Sequence, residues 1–421
     1  MRKDLCAPVS ASAAVAPVLR KLSFRCKVLL CLALLLLLLP AVSLGETARD
    51  LTADCSFSFS KGSNRRIAVL YDGNYEKTWQ TGRSHYSYLE VRLPEGEACS
   101  GVQIKWAAIN KAWCVEILDG EEWVSVGGYE ADYLTTWTPL PSVTAFRIAA
   151  HNRVANYLRI NEIRVMSEGD RPENIQVWQP TWEKADLLVV VGHPDDEYIF
   201  LGAVIPYYGA ERGKHVLVAY ITESSACRRT ELLDGLWTAG QRTYPLVGRF
   251  HDRYSLSLET VYQRVNKSKV RAYMVEVFRR YRPSVVVTQD IHGEYGHGIH
   301  KLCADVVIYA LKAAADPGVN RDSADAYGLW DVPKCYIHLY DQDQILFDWR
   351  NLPLSAFGGR SAYDVANDAW HCHLSQQHTK YEVYMEDPYN SQRFGLYRTL
   401  VGPDVLHNDF FENLEDSLPE S

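Results

Sequence analysis

Hydrophobic positions change rhythm once along the chain. Between residues 46 and 168 they alternate in short runs. Val102, Ile104 and Trp106 share one face, Val115 and Ile117 another, and Phe146 with Ile148 and Ile163 with Val165 repeat the pattern. Turn signals separate them at Pro94-Glu95-Gly96, Asp119-Gly120 and Gly127-Gly128. Runs of this length without helical periodicity predict a β-sandwich or barrel. From residue 183 the runs become continuous. Leu187–Val191, Val216–Ile221, Ser284–Thr288 and Cys335–Leu339 read as strands covered on both faces. Roughly Ile199–Gly213, Arg228–Thr238, Thr260–Arg280 and Ile299–Ala315 read as amphipathic helices between them. The alternation predicts an α/β domain on a parallel sheet. Residues 169–182 are polar and proline-bearing and read as a linker. The expected boundaries are a sandwich over 46–168, an α/β domain over 183–405 and an acidic tail over 406–421.

A chain of 421 residues is too long for one ordinary core, which agrees with two domains. The α/β part is Rossmann-like, yet no GxGxxG follows its first strand, so no dinucleotide is indicated. Residues 1–45 form a separate signal. Arg20, Lys21, Arg25 and Lys27 precede the apolar block Val28–Leu39, Pro40 ends it, and Ser43 and Gly45 are placed for a cut before Glu46. The block is shorter than the about 20 residues of a spanning helix. A cleaved signal peptide and a secreted or cell-surface location are expected. Retention as an uncleaved anchor is the one route to a membrane. The net charge is −8, and residues 46–421 carry 38 basic against 51 acidic residues, which argues against nucleic acid as partner. Seven cysteines follow the signal, with no CxxC pair. This indicates neither a zinc knuckle nor a disulfide framework, although a single bridge within 55–114 is compatible.

The chemistry concentrates at two strand ends. Gly192-His193-Pro194-Asp195-Asp196-Glu197 follows Leu187–Val191 and crowds one imidazole with three carboxylates. Such crowding is unfavourable unless a cation compensates it. His292-Gly293-Glu294-Tyr295-Gly296-His297-Gly298-Ile299-His300 follows Ser284–Thr288, with His297 and His300 on one helical face. Strand ends of one sheet meet at one edge. His193, Asp196 and His300 can therefore form a two-histidine, one-carboxylate metal site with positions left open for water.

These two motifs together resemble the PIG-L/LmbE family of zinc-dependent N-deacetylases. Arg228-Arg229-Thr230-Glu231-Leu232 is similar to the family's Arg-x-x-Glu helix. Cys372-His373-Leu374-Ser375-Gln376 is similar to its late His-x-Ser-Gln element. The resemblance covers most of 183–400. It implies zinc on His193, Asp196 and His300, Asp195 as general base and His297 as oxyanion stabiliser. Some bacterial members have an aspartate before the last histidine, where this chain has Ile299. What orients His297 is thus an open question, with Asp290 as one candidate. Arg228, Arg229 and Glu231 are either substrate contacts or an ion-paired helix face. His371, His373 and Gln376 line the pocket or support it from behind.

A second resemblance lies upstream. Tyr71-Asp72-Gly73-Asn74-Tyr75-Glu76-Lys77-Thr78-Trp79 and Asn161-Glu162-Ile163-Arg164-Val165 resemble discoidin-like, galactose-binding-type sandwiches (F5/8 type C). It implies calcium on Asp72, Thr78 and Glu162, oxygen donors that suit a hard cation. An ordinary Asp-Gly turn over a core tryptophan fits the same residues. Such domains commonly bind carbohydrate through exposed aromatics, and Trp106, Trp113, Trp123 and Trp137 are available, unless alternation buries them.

The combined expectation is an exported zinc-dependent de-N-acetylase acting on an N-acetylglucosamine-type sugar of a glycan or glycoconjugate, with the sandwich as carbohydrate-binding module. Two rivals are a glycan-binding or adhesion protein with a vestigial catalytic domain and a metal-dependent amidase on a non-sugar amide.

Overall fold

Among the described residues, nine strands fold the first part of the chain into two facing antiparallel sheets. They are β1 Ser56–Phe59, β2 Trp79–Gln80, β3 Ser84–Arg92, β4 Cys99–Trp106, β5 Trp113–Asp119, β6 Glu122–Tyr129, β7 Thr135–Val143, β8 Ala145–Asn156 and β9 Arg159–Ser167. One sheet runs β1-β3-β8-β5-β6 and the other β2-β9-β4-β7. Their inward residues, among them Leu89, Val115 and Ile148 opposite Val102, Ile104 and Val165, share one core. Trp106 and Trp113 are buried in it, so these two are not a sugar platform. The description is of a computed structural model and covers residues 46–60, 66–108, 113–129, 133–222 and 224–414. The expected signal peptide lies outside the described residues. No helix among them is long and apolar enough to cross a membrane, and the seven described cysteines are free.

The second part is a seven-stranded sheet. Its strands are β10 Leu187–Val191, β11 Val216–Thr222, β12 Leu246–Phe250, β13 Val285–Thr288, β14 Lys334–His338, β15 Gln344–Leu346 and β18 Arg393–Thr399, in the order β12-β11-β10-β13-β14-β18-β15. A separate ribbon pairs β16 Pro353–Leu354 with β17 Arg360–Ser361. β10 to β14 pair in parallel, but β18 joins antiparallel to β14 and β15. The sheet is therefore mixed, not wholly parallel as the alternation predicts. β10 shows why it reads as a continuous aliphatic run. Leu187, Val189 and Val191 enter one core, and Leu188 and Val190 the other. Each aliphatic side chain so buried contributes about 1.5–3 kcal/mol relative to exposure.

Helices cover both faces. They are α1 Asp196–Ile199, α2 Val204–Pro206, α3 Ala226–Thr238, α4 Leu258–Tyr262, α5 Lys267–Tyr281, α6 Gly298–Ala313, α7 Arg321–Tyr327 and α8 Ala362–His371. The single helix expected over 199–213 is broken into α1, α2 and a π turn at Tyr207–Glu211. The break falls at Gly202, whose φ of +59 favours glycine and whose Cβ would lie 2.6 Å from Trp349 Nε1. Likewise 260–280 divides into α4 and α5, the latter capped by the Asn266 side chain.

The two parts belong to one compact unit, Ala48–Ser421. Residues 169–182, expected as a linker, instead pack into the seam. Ile175, Gln176 and Trp178 are buried, and Gln179 bridges to Thr243. Trp178 packs edge-on against Trp237 at 5.4 Å and Tyr244 at 5.7 Å. Asp234 of α3 accepts from Lys105 Nζ at 2.8 Å, Tyr75 Oη at 2.7 Å and Gln176 Nε2 at 2.5 Å. Proline and polar composition signal a break in periodicity, not solvent exposure. The first part of the expected acidic tail also packs against the domain. Phe410, Phe411 and Leu414 are buried, with Phe410 stacked 5.1 Å from Tyr208, and residues 415–421 lie outside the described set.

Candidate active site and metal centre

The polar clusters emerge at the carboxyl ends of adjacent parallel strands, β10 and β13, where the strand order reverses direction. This is the crevice that open α/β sheets use for ligands. Gly192 makes the exit possible. A Cβ there would lie 2.8 Å from Ile299 Cγ2, so the backbone of the first cluster passes close to the second. Gln289 Oε1 receives the Gly192 N–H at 2.8 Å and ties the two strand ends together.

Three sequence-predicted ligands converge here. Asp196 Oδ2 accepts the His193 N–H at 2.7 Å, and it lies 3.1 Å from His193 Nδ1 and 3.4 Å from His300 Nε2. Donor atoms of His193, His297 and His300 lie within 4.8 Å of one another. His300 Nε2 is buried without a hydrogen bond. An orphaned buried nitrogen beside a carboxylate and a second imidazole fits a divalent metal with nitrogen and oxygen ligands. Burial works against the Asp196 carboxylate, but His300 and His193 outweigh it and hold it well below the usual range.

The ring of His300 is set from behind. Its Nδ1 lies 2.8 Å from Glu294 Oε2, and Glu294 Oε1 lies 2.6 Å from His338 Nδ1. Burial would raise the Glu294 carboxyl, yet these two imidazoles hold it down at about 2. His300 is pushed down by burial and up, more strongly, by Asp196 and Glu294, to about 10. A carboxylate behind a ligating histidine fixes the ring's tautomer and direction.

Asp195 is built for a different task. Its φ of +106 is strained for a non-glycine residue. Two contacts hold it there: its N–H donates to Glu197 Oε2 at 2.8 Å, and Arg228 Nη2 donates to its Oδ2 at 2.7 Å and to the Pro194 carbonyl. Tyr220 Oη in turn donates to Glu197 Oε1 at 2.7 Å. Burial raises the Asp195 carboxyl to about 7, against the pull of Arg228. A carboxyl poised there suits proton transfer near neutrality. Glu197 is likewise raised by burial, to about 8.

His297 is oriented by the very residue that departs from the family pattern. Ile299 supplies no carboxylate, but its N–H donates to His297 Nδ1 at 3.3 Å. The neutral ring then carries its proton on Nε2 and is a donor. Burial, then His300 and His193, lower its pKa to about 4, so it is neutral at pH 7. Asp290 does not take this role: its carboxyl is held by the backbone N–H of His292, and His297 is not among its partners in the described residues.

The supporting motifs also find their places. Glu231 Oε1 and Oε2 accept from the N–H and Oγ of Ser375 at 2.6 and 2.7 Å. The Arg-x-x-Glu helix thus grips the His-x-Ser-Gln turn, and His373 Nε2 comes to rest 3.7 Å from Glu197. His371 and Arg229 stay outside. His371 bonds Asn367 O at 2.7 Å, and Arg229 lines a separate cavity of about 310 Å³ with Tyr244 and Leu134. The sequence reading missed Asp252, which lies 3.0 Å from His193 Nε2 just past β12. The proposed calcium donors gain no support. Asp72 is taken by Lys77 at 2.7 Å, Thr78 Oγ1 donates to Asn161 at 3.1 Å, and Glu162 pairs across strands with Lys105.

Residues 188–311 match the family model described as PIG-L: GlcNAc-PI de-N-acetylase, so a PIG-L family domain lies within the α/β part. The chain is 32% identical over 179 residues to a 1D-myo-inositol 2-acetamido-2-deoxy-alpha-D-glucopyranoside deacetylase 1 of Catenulispora acidiphila, covering 36% of this chain and 54% of the relative. It is 30% identical over 176 residues to deacetylase 2 of the same description in Saccharopolyspora erythraea, covering 35% and 63%. The chain thus spans little more than half the length of these curated relatives. The solved N,N'-diacetylchitobiose deacetylase from Pyrococcus horikoshii overlaps 47% of this chain and 72% of its own at 17% identity, with a TM-score of 0.36, a likeness too low to carry an argument.

Proposed function

We propose that this chain is an exported, zinc-dependent carbohydrate de-N-acetylase. Its substrate is the acetamide of an N-acetylglucosamine-type sugar on a glycan or glycoconjugate. One observation carries the reading: the buried, unbonded His300 Nε2 faces Asp196 and His193 beside an Arg228-held Asp195. His193, Asp196 and His300 would hold the ion. Zinc there supplies Lewis acidity and lowers the pKa of water.

The chain's own residues do the rest. Asp195 takes the proton of the attacking water and returns it to the leaving nitrogen. The water oxygen bonds to the acetamide carbon, the C–N bond breaks, and acetate and a sugar amine leave. The Nε2–H of His297 donates to the carbonyl oxygen as negative charge builds on it. Arg228 and Glu197 hold Asp195 in its strained geometry throughout.

The names of the relatives, all given for a 2-acetamido sugar, support the substrate class. The charged segment and apolar block before Glu46 support export, and the resemblance of residues 71–79 and 161–165 to discoidin-like domains supports a glycan partner. Zinc content and acetate release from N-acetylated oligosaccharides test the reading. Stoichiometric zinc, with release lowered by about 10²–10⁴ in Asp195→Asn, is the expected result. A metal-free, inert protein overturns it.

A further inference from the structure

We infer that the seam between the sandwich and the α/β part holds a second sugar-binding subsite. It would take the hydroxyl-rich ring adjacent to the sugar being deacetylated. The inference rests on the function proposed above and extends it from the reacting sugar to its neighbour.

The turn Asp72–Lys77 is rigid by its own bonds. Asp72 Oδ1 accepts the Asn74 N–H at 3.0 Å, Asn74 Oδ1 accepts the Glu76 N–H at 3.0 Å, and Lys77 returns to Asp72 at 2.7 Å. It is also fixed to the α/β part. Tyr75 Oη donates to Asp234 at 2.7 Å, and Lys105 Nζ reaches the same carboxylate at 2.8 Å. The turn is therefore one wall of a cleft between the two parts.

That cleft has a volume of about 370 Å³. Asn74, Tyr75 and Glu76 line it from the sandwich, and Glu231, Ser375 and His378 from the α/β part. The size lies in the range of small-ligand pockets. It is next to the chemistry. Cys227, also in its wall, directly precedes Arg228, which holds Asp195. Ser375 follows two residues after His373, which touches Glu197.

The lining suits a polyol. Glu76 and His378 are exposed and Asn74 is half-buried, so the lining offers a carboxylate, an imidazole and an amide to a hydroxyl-rich ligand. Glu231 sits beneath with 1% exposure, its carboxylate spent on Ser375. Leu374, 55% exposed at the rim, offers an apolar contact for the carbon face of a pyranose. Polar edges around a small apolar patch are what a sugar ring presents in complement.

The test uses the full zinc-loaded chain with N-acetylglucosamine and N,N',N''-triacetylchitotriose, and the variants Asn74→Ala/Glu76→Ala and His378→Ala. Each variant is expected to lose about tenfold in kcat/KM on the trisaccharide, as lost hydrogen bonds of ordinary strength dictate, with the monosaccharide unchanged. Equal losses on both sugars, or none on either, overturn the subsite. Calorimetric titration of trisaccharide into Asp195→Asn protein, with and without the same substitutions, reads the subsite without turnover. An affinity that falls with Asn74→Ala/Glu76→Ala supports it even if no acetate is released, an outcome that would sink only the enzymatic reading. Unchanged affinity, or no binding, overturns the subsite by itself.

Discussion

Among the described residues, two places bring metal-capable donors within reach of one another, and they are unlike in every other respect. On the outer face of the five-stranded sheet, Cys114, Glu116 and His151 place their donor atoms within 4.8 Å, as His193, His297 and His300 do at the strand ends. In the sandwich cluster every demand is met locally. Glu116 accepts from Tyr86 Oη at 2.8 Å and pairs with His151 at 2.9 Å. His151 has a side chain 60% exposed, and the Cys114 thiol is pushed up to about 11 by burial and by Glu116, away from the thiolate a metal needs. At the strand ends the demands are unmet. An imidazole nitrogen is buried and unbonded, a second carboxylate fixes its ring, and the adjacent aspartate holds a strained backbone. Donor proximity is common; at the strand ends it coincides with a buried, unbonded imidazole nitrogen whose ring a second carboxylate fixes.

Asp195→Asn has the largest expected effect. Acetate release falls by about 10²–10⁴ while bound zinc is retained, read by product assay and elemental analysis. Glu294→Gln comes next, because it frees the His300 ring without removing a ligand. Zinc affinity is expected to fall by about 10–100-fold in competition with a chelator. Glu231→Ala removes the grip on Ser375 and is expected to lower stability by about 2 kcal/mol in urea unfolding.

Smaller still is Glu90→Gln in the sandwich. Glu90 bonds Arg92 at 2.6 Å and Arg147 at 2.7 Å. Burial opposes ionisation there, but the two guanidiniums outweigh it and lower the pKa. A folded-state value below the unfolded one gives stability that is present above the ordinary glutamate range. It is lost as pH falls through the folded value. The variant should be about 1 kcal/mol less stable at pH 7, with the difference vanishing in acid, by thermal unfolding across pH.

The strand ends were legible because both faces of β10 and β13 are covered. Their aliphatic runs stop where the polar clusters begin. His193, Asp196 and His300 follow from that boundary and from ligand chemistry, whereas the roles of Asp195 and His297 came from the family resemblance. Asp252 did not, because Leu246–Phe250 contains Gly248 and Arg249, lies at the sheet edge and lacks the aliphatic density that marks a central strand. His338, at the end of β14, was readable in position but not in purpose, since its partner Glu294 lies 44 residues away. The seam was invisible for another reason. Tyr75, Lys105, Gln176 and Asp234 come from four distant segments, and no local pattern links them.

Zinc stoichiometry in three forms of the full chain tests the central distinction most directly. The wild type and His151→Ala are predicted to hold one zinc each, and His300→Ala none. Zinc kept by His300→Ala and lost from His151→Ala would contradict the account.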